Sequence, residues 1–172
     1  MEFMNRLGLV RNEIDAILLN QNNVEERRNG YVHLYGVAQC CSILAIKRGL
    51  DVELCAIIGM LHDIHTYKFD YVKDHAILGA TEAENLMKEL NVFTDEEIEI
   101  VRNSIFNHSD KKTKQDKYSE LLKDADVLQN SLYNTTFEIK HKKRLKKTFK
   151  NFGIKMKLKK VKVPKEKQVK EN

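Results

Sequence analysis

The sequence predicts an all-α fold, a compact bundle of about six or seven helices. Three observations point there. Apolar residues recur every three to four positions in one segment after another. Capping residues stand at the starts of those segments, and short polar breaks separate them. Strand-like alternation is confined to residues 154–163, where apolar and basic side chains take turns.

The elements follow in order. Residues 5–20 carry Leu7, Val10, Ile14, Ile17 and Leu18 on the helical period, and Gln21-Asn22-Asn23 interrupts it. Asn23 with Glu26 forms a cap pair that opens a second helix, running to about Arg48. Val37, Cys41, Leu44 and Ala45 share its apolar face, and Gly49 is its stop signal. Asp51 caps a third helix over residues 52–63, apolar almost all round and therefore the central buried one. Residues 64–73 hold Tyr67, Phe69, Asp70 and Tyr71 and read as an irregular loop. A fourth helix spans residues 75–91, with Ile77, Leu78, Ala83, Leu86, Met87 and Leu90. Thr94-Asp95-Glu96-Glu97 is a capping box for a fifth, whose core face is Ile98, Val101, Ile105 and Phe106 and which His108 ends. Residues 109–116 are polar and expected to be mobile. A sixth helix over residues 117–132 turns Leu121, Leu122, Ala125 and Leu128 inward. From Thr136 another helix docks through Phe137, Leu145, Phe149 and Phe152 and stops at Gly153. The lysine-rich remainder has few apolar anchors. The expected organisation is a helical domain over residues 1–153 and a basic, flexible tail over 154–172.

At 172 residues, with 42% hydrophobic and 32% charged residues, the chain has the length and composition of one soluble globular domain. Its net charge of +5 hides an asymmetry. Residues 1–139 hold 15 Lys/Arg against 23 Asp/Glu, whereas residues 140–172 hold 15 against 2. No apolar run approaches the roughly 18 residues of a membrane span, and the first residues lack the basic and apolar regions of a signal peptide. Three cysteines, Cys40, Cys41 and Cys55, lie in apolar segments without CxxC spacing. They read as reduced core thiols of a cytoplasmic protein.

The chemistry centres on His62-Asp63, which ends the apolar run of residues 54–61. A buried ionised carboxylate needs a partner, and for adjacent imidazole and carboxylate the obvious one is a metal ion. Further candidates follow the same pattern: His33, His75, His108 and Asp126 each sit on or at the end of an expected helix. A lone histidine on an apolar face is more often a satisfied core residue. Five separate sites of imidazole or carboxylate type weaken that reading.

The ordered pattern H…HD…H…H…D resembles the HD-domain superfamily of metal-dependent phosphohydrolases over about residues 28–133. The matching segments are Tyr31-Val32-His33-Leu34-Tyr35-Gly36, Leu61-His62-Asp63-Ile64, His75-Ala76-Ile77-Leu78-Gly79, Ile105-Phe106-Asn107-His108-Ser109 and Asp124-Ala125-Asp126-Val127-Leu128. The resemblance implies an HD-type bundle with His33, His62, Asp63 and Asp126 as metal ligands. Asp126 is preferred to Asp124 because it follows a small residue and precedes x-Leu, as in the family. His75 and His108 match positions that bind a second metal or contact substrate phosphate in some members, which makes Asp63, His75 and His108 the residues expected nearest the reaction. Many members have glycine where this chain has His65.

Imidazole and carboxylate suit Mn, Fe, Co, Ni or Zn and, with water ligands, Mg. One or two such ions would activate water and neutralise phosphate oxygens. The expected substrate is a small phosphorylated molecule, with a nucleotide favoured. Lys68, Lys73, Lys111 and Lys112 lie in loops that could reach a phosphate, although loop lysines are commonly plain surface residues. Tyr67, Phe69 and Tyr71 could stack on a base or simply cover the core. The basic stretch 140–170 offers another reading, a nucleic-acid-binding or metal-binding regulatory protein with little catalysis.

Overall fold

A computed structural model describes residues 5–71, 73–133 and 140–156, and those residues form an all-α bundle. Its helices are α1 (Arg6–Leu19), α2 (Val24–Arg48), α3 (Val52–Leu61), α4 (Ile64–Phe69), α5 (His75–Leu90), α6 (Asp95–Asn107), α7 (Lys117–Tyr133) and α8 (Lys142–Asn151). Local chemistry sets most boundaries. The Asn23 side chain accepts from the Glu25 and Glu26 amides, and Asp51 accepts from Leu54. Thr94 and Glu97 form the reciprocal capping box. Gly49 ends α2 in the left-handed region at φ 64°, where a side chain would be strained.

The short α4 replaces part of the expected loop. It has no side-chain cap bond and ends on left-handed Asp70. Its helicity comes from tertiary context: Ile64 is buried in the main core, and the Tyr67 amide reaches back to the Asp63 carbonyl at 3.4 Å. The segment 109–116, expected to be mobile, is tied down in the structure. Asp110 accepts from the amides of Lys112 and Thr113, and the buried Lys123 ammonium donates to the Thr113 carbonyl at 3.0 Å.

Helix α3 is the hub. Every residue from Leu54 to Leu61 is buried, and α1, α2, α6 and α7 pack around it. Gly59 lets α2 come close: a Cβ there would lie 2.7 Å from the Ala38 Cα. Arg6 pins α1 by reaching Glu53 at 2.7 Å and Glu97 at 2.9 Å. The three cysteines are free thiols, and burial pushes Cys40 up to about 11 and Cys55 up to about 12. Neither is a thiolate at neutral pH. Helix α8 docks through buried Leu145 on Val127 and Leu128 of α7. Thr136, Phe137 and the tail beyond Met156 lie outside the described residues. No helix among the described residues is long and apolar enough to cross a membrane.

Candidate metal centre

Four helices bring polar side chains to the C-terminal end of α3. His33 projects from α2, His75 is the first residue of α5, His108 caps the C-terminus of α6, and Asp126 lies on α7. His62 keeps helical geometry at the end of α3, whereas Asp63 leaves it (φ −114°, ψ 21°) as the chain bends into α4. That bend turns the carboxylate into the middle of the histidines.

The two Asp63 oxygens divide between two pairs. Oδ2 lies 3.3 Å from both His33 Nε2 and His62 Nε2. Oδ1 lies 3.6 Å from His75 Nε2 and 3.3 Å from His108 Nε2. Two groups of donors result, His33/His62/Asp63 and Asp63/His75/His108, each with all its ligand atoms within 4.8 Å of one another.

Hydrogen bonds on the far side of three rings fix which nitrogen faces inward. His62 Nδ1 donates to the Gly59 carbonyl at 2.8 Å, and His108 Nδ1 donates to the Ile105 carbonyl at 2.6 Å. His33 Nδ1 donates to Gln129 Oε1 at 2.9 Å. The Gln129 amide is oriented by its own Nε2, which donates to the Val32 carbonyl at 3.2 Å. Carbonyl oxygens only accept, so these Nδ1 atoms carry protons. The same bonds turn the Nε2 atoms of the three rings toward the centre. His33 and His62 Nε2 are 3.1 Å apart, and His75 and His108 Nε2 are 3.2 Å apart. Lone pairs that close repel unless a cation or a proton stands between them.

Asp63 Oδ1 is buried with no hydrogen-bond donor, a costly condition for a carboxylate. Burial would raise the Asp63 pKa, but His62, His108 and His33 outweigh it and hold the carboxyl well below the ordinary range. His33 is shifted the other way: burial opposes, but Asp63 and Asp126 raise it. The donor set of imidazole and carboxylate, the orphaned oxygen and the paired lone pairs all fit divalent cations.

Asp126 comes near without joining either tight group. Its Oδ1 lies 3.8 Å from His33 Nε2 and accepts from Asn130 at 2.7 Å, while Oδ2 pairs with Lys111 at 2.5 Å. Burial raises its pKa, but the charges of Lys111, His62 and His33 bring it down to about 2. Asp124 points elsewhere, into a buried network with Arg48 and Arg144. His65 stacks on Phe69 with ring centres 4.8 Å apart, outside the set of residues that line the cleft.

The centre opens into a cleft of about 700 Å³. Of the four loop lysines only Lys111 lines it, and of the three aromatics only Tyr67 does. Lys68 is paired with Glu82 at 2.6 Å. Sequence reasoning missed Gln129, Asn130, Ser109 and His141, which also line the cleft. Ser109 Oγ lies 3.1 Å from His75 Nε2. Its adjacency to His108 was the only available signal. Gln129 and Asn130 follow Asp126 by three and four residues, so one helical face was the signal for them.

No curated protein and no solved structure matches the chain. The profile of the HD domain family matches residues 30–131, more than half of the sequence. That span runs from just before His33 to just after Asp126 and so contains every donor gathered around Asp63. The chain belongs to the HD-domain superfamily.

Proposed function

We propose that the protein is a metal-dependent phosphohydrolase that cleaves a small phosphate ester or anhydride, with a nucleotide-like substrate favoured. The observation that carries this reading is the division of the Asp63 carboxylate between two imidazole pairs. His33, His62 and Asp63 would hold one divalent ion, with Asp126 at its edge as the further carboxylate. Asp63, His75 and His108 would hold a second. Such ions polarise phosphoryl oxygens and lower the pKa of bound water.

The remaining work falls to the chain itself. Gln129, Gly59 and Ile105 keep the protons of His33, His62 and His108 on the outer nitrogens. Lys111 neutralises one oxygen of Asp126 and supplies positive charge to the cleft. Asp126, held low in pKa, stays ionised and accepts from Asn130 and Lys111. Tyr67 and Tyr133 give the cleft aromatic wall area for a base or other ring. A cleft of about 700 Å³ suits a nucleotide-sized molecule.

Purified protein loaded with Mn²⁺, Co²⁺ or Ni²⁺ is expected to hydrolyse at least one member of a broad phosphoester and nucleotide panel. His62→Ala and Asp63→Asn should abolish that turnover. Metal binding with no turnover across the panel would sink the enzymatic reading. It would favour a regulatory or nucleic-acid-binding protein that uses the basic residues 140–172.

A further inference from the structure

The family match ends at residue 131, but the cleft extends beyond it. Lys140 and His141 line it from the stretch that enters α8. That stretch is held in place by α8 itself. Arg144 reaches Asp124 at 2.7 Å and Glu120 at 3.0 Å on α7, and Leu145 is buried against Val127 and Leu128. The other arm of Arg144 donates to the Lys111 carbonyl at 3.2 Å. One guanidinium therefore ties the start of α8 to the residue whose ammonium sits beside Asp126.

The consequence is a basic wall. Lys111 spends two of its three N–H donors on the His108 carbonyl and Asp126, which leaves one. The Lys140 and His141 side chains are exposed and have no hydrogen-bond or ion-pair partner among the described residues. Burial together with Lys111, Arg144 and Lys140 holds the His141 imidazole below its ordinary value, against the pull of Asp126, so the lysines carry the charge of the wall and His141 adds a ring N–H donor. Lys111, Lys140 and His141 line the same cleft as Asp63, His75 and His108.

Resting on the phosphohydrolase reading, we propose that Lys111, Lys140 and His141 form a second anion subsite, which selects substrates carrying two phosphoryl groups over those carrying one. Arg144 is its positioning residue, holding the wall in register with the metal centre. Lys140 and His141 lie beyond the matched family region, and Lys111 lies within it.

The test is calorimetric titration of α,β-methylene ADP and of AMP into the full chain with Mn²⁺ in excess, for the wild type and for Lys140→Ala/His141→Ala. Both replaced side chains are exposed, so the fold does not depend on them. The wild type should bind the diphosphate more tightly than AMP, and the double substitution should weaken the diphosphate about tenfold more than AMP. Equal weakening of both, no weakening, or no binding of either nucleotide by the wild type overturns the proposal. Binding is scored without turnover. A failed phosphoester panel would therefore defeat the catalytic reading and leave this result to be judged by itself.

Discussion

At the scale of single residues, the centre depends on side chains that touch no reacting group. Gln129 holds the proton of His33 on Nδ1 and is itself held by the Val32 carbonyl. Gly36 makes room for it, since a Cβ there would lie 2.8 Å from Gln129 Cγ. Gln129→Leu keeps the volume but removes the acceptor. It should weaken Mn²⁺ binding about 10- to 100-fold in calorimetry while the thermal melt changes little; unchanged affinity would show that His33 needs no such support. The histidines and aspartates that meet around Asp63 were legible in the sequence, because imidazole and carboxylate types recur in a fixed order along it. Gln129 was not, because its role arises only where α7 crosses α2, and Lys111 stood in the sequence as one of four loop lysines that only the fold tells apart. His141 was passed over for the same reason: its meaning depends on how α8 docks.

At the scale of elements, caps were readable because they are local. Asn23, Asp51 and Thr94 each bond an amide two or three residues away. Helix α4 was not readable, because its formation rests on buried Ile64 and not on a cap. Two predictions belong here. Gly59→Ala places a methyl group 2.7 Å from the Ala38 backbone, so α2 and α3 must separate. The cost should be about 1–3 kcal/mol in urea denaturation, and Mn²⁺ affinity should fall because His33 and His62 ride on those two helices. Full stability together with full affinity would refute the close-approach role of Gly59.

The second concerns Glu97, which joins the capping box to Arg6. Burial pushes its carboxyl up, but bonds from Thr94 and Arg6 outweigh this and hold it below its ordinary 4.5. A folded-state pKa below the unfolded one means that ionised Glu97 stabilises the fold above the unfolded value. That contribution is lost as pH falls through the folded value. Glu97→Gln should therefore destabilise the protein at pH 7 and cost much less at about pH 3. An equal cost at both would assign the effect to the cap geometry alone.

At the scale of the whole molecule, charge is divided along the chain. The body of residues 1–139 is acidic and residues 140–172 are strongly basic. Part of that basic segment is integrated: Arg144 bonds Asp124, Glu120 and the Lys111 carbonyl, and Leu145 is buried. The docked part of the basic segment is thus α8, the helix expected to stop at Gly153, and residues 157–172 lie outside the described residues. Truncation after Gly153 should leave metal binding and hydrolysis intact and remove any salt-dependent binding to RNA or DNA. Loss of metal affinity in the truncated chain would make the remainder part of the fold.

The central claim is that Asp63 joins two cation sites. Anomalous diffraction from Mn²⁺-loaded crystals tests it most directly. The expected result is two peaks, one beside Oδ2 with His33 and His62 and one beside Oδ1 with His75 and His108, both absent in Asp63→Asn. No peak at either position would contradict the account.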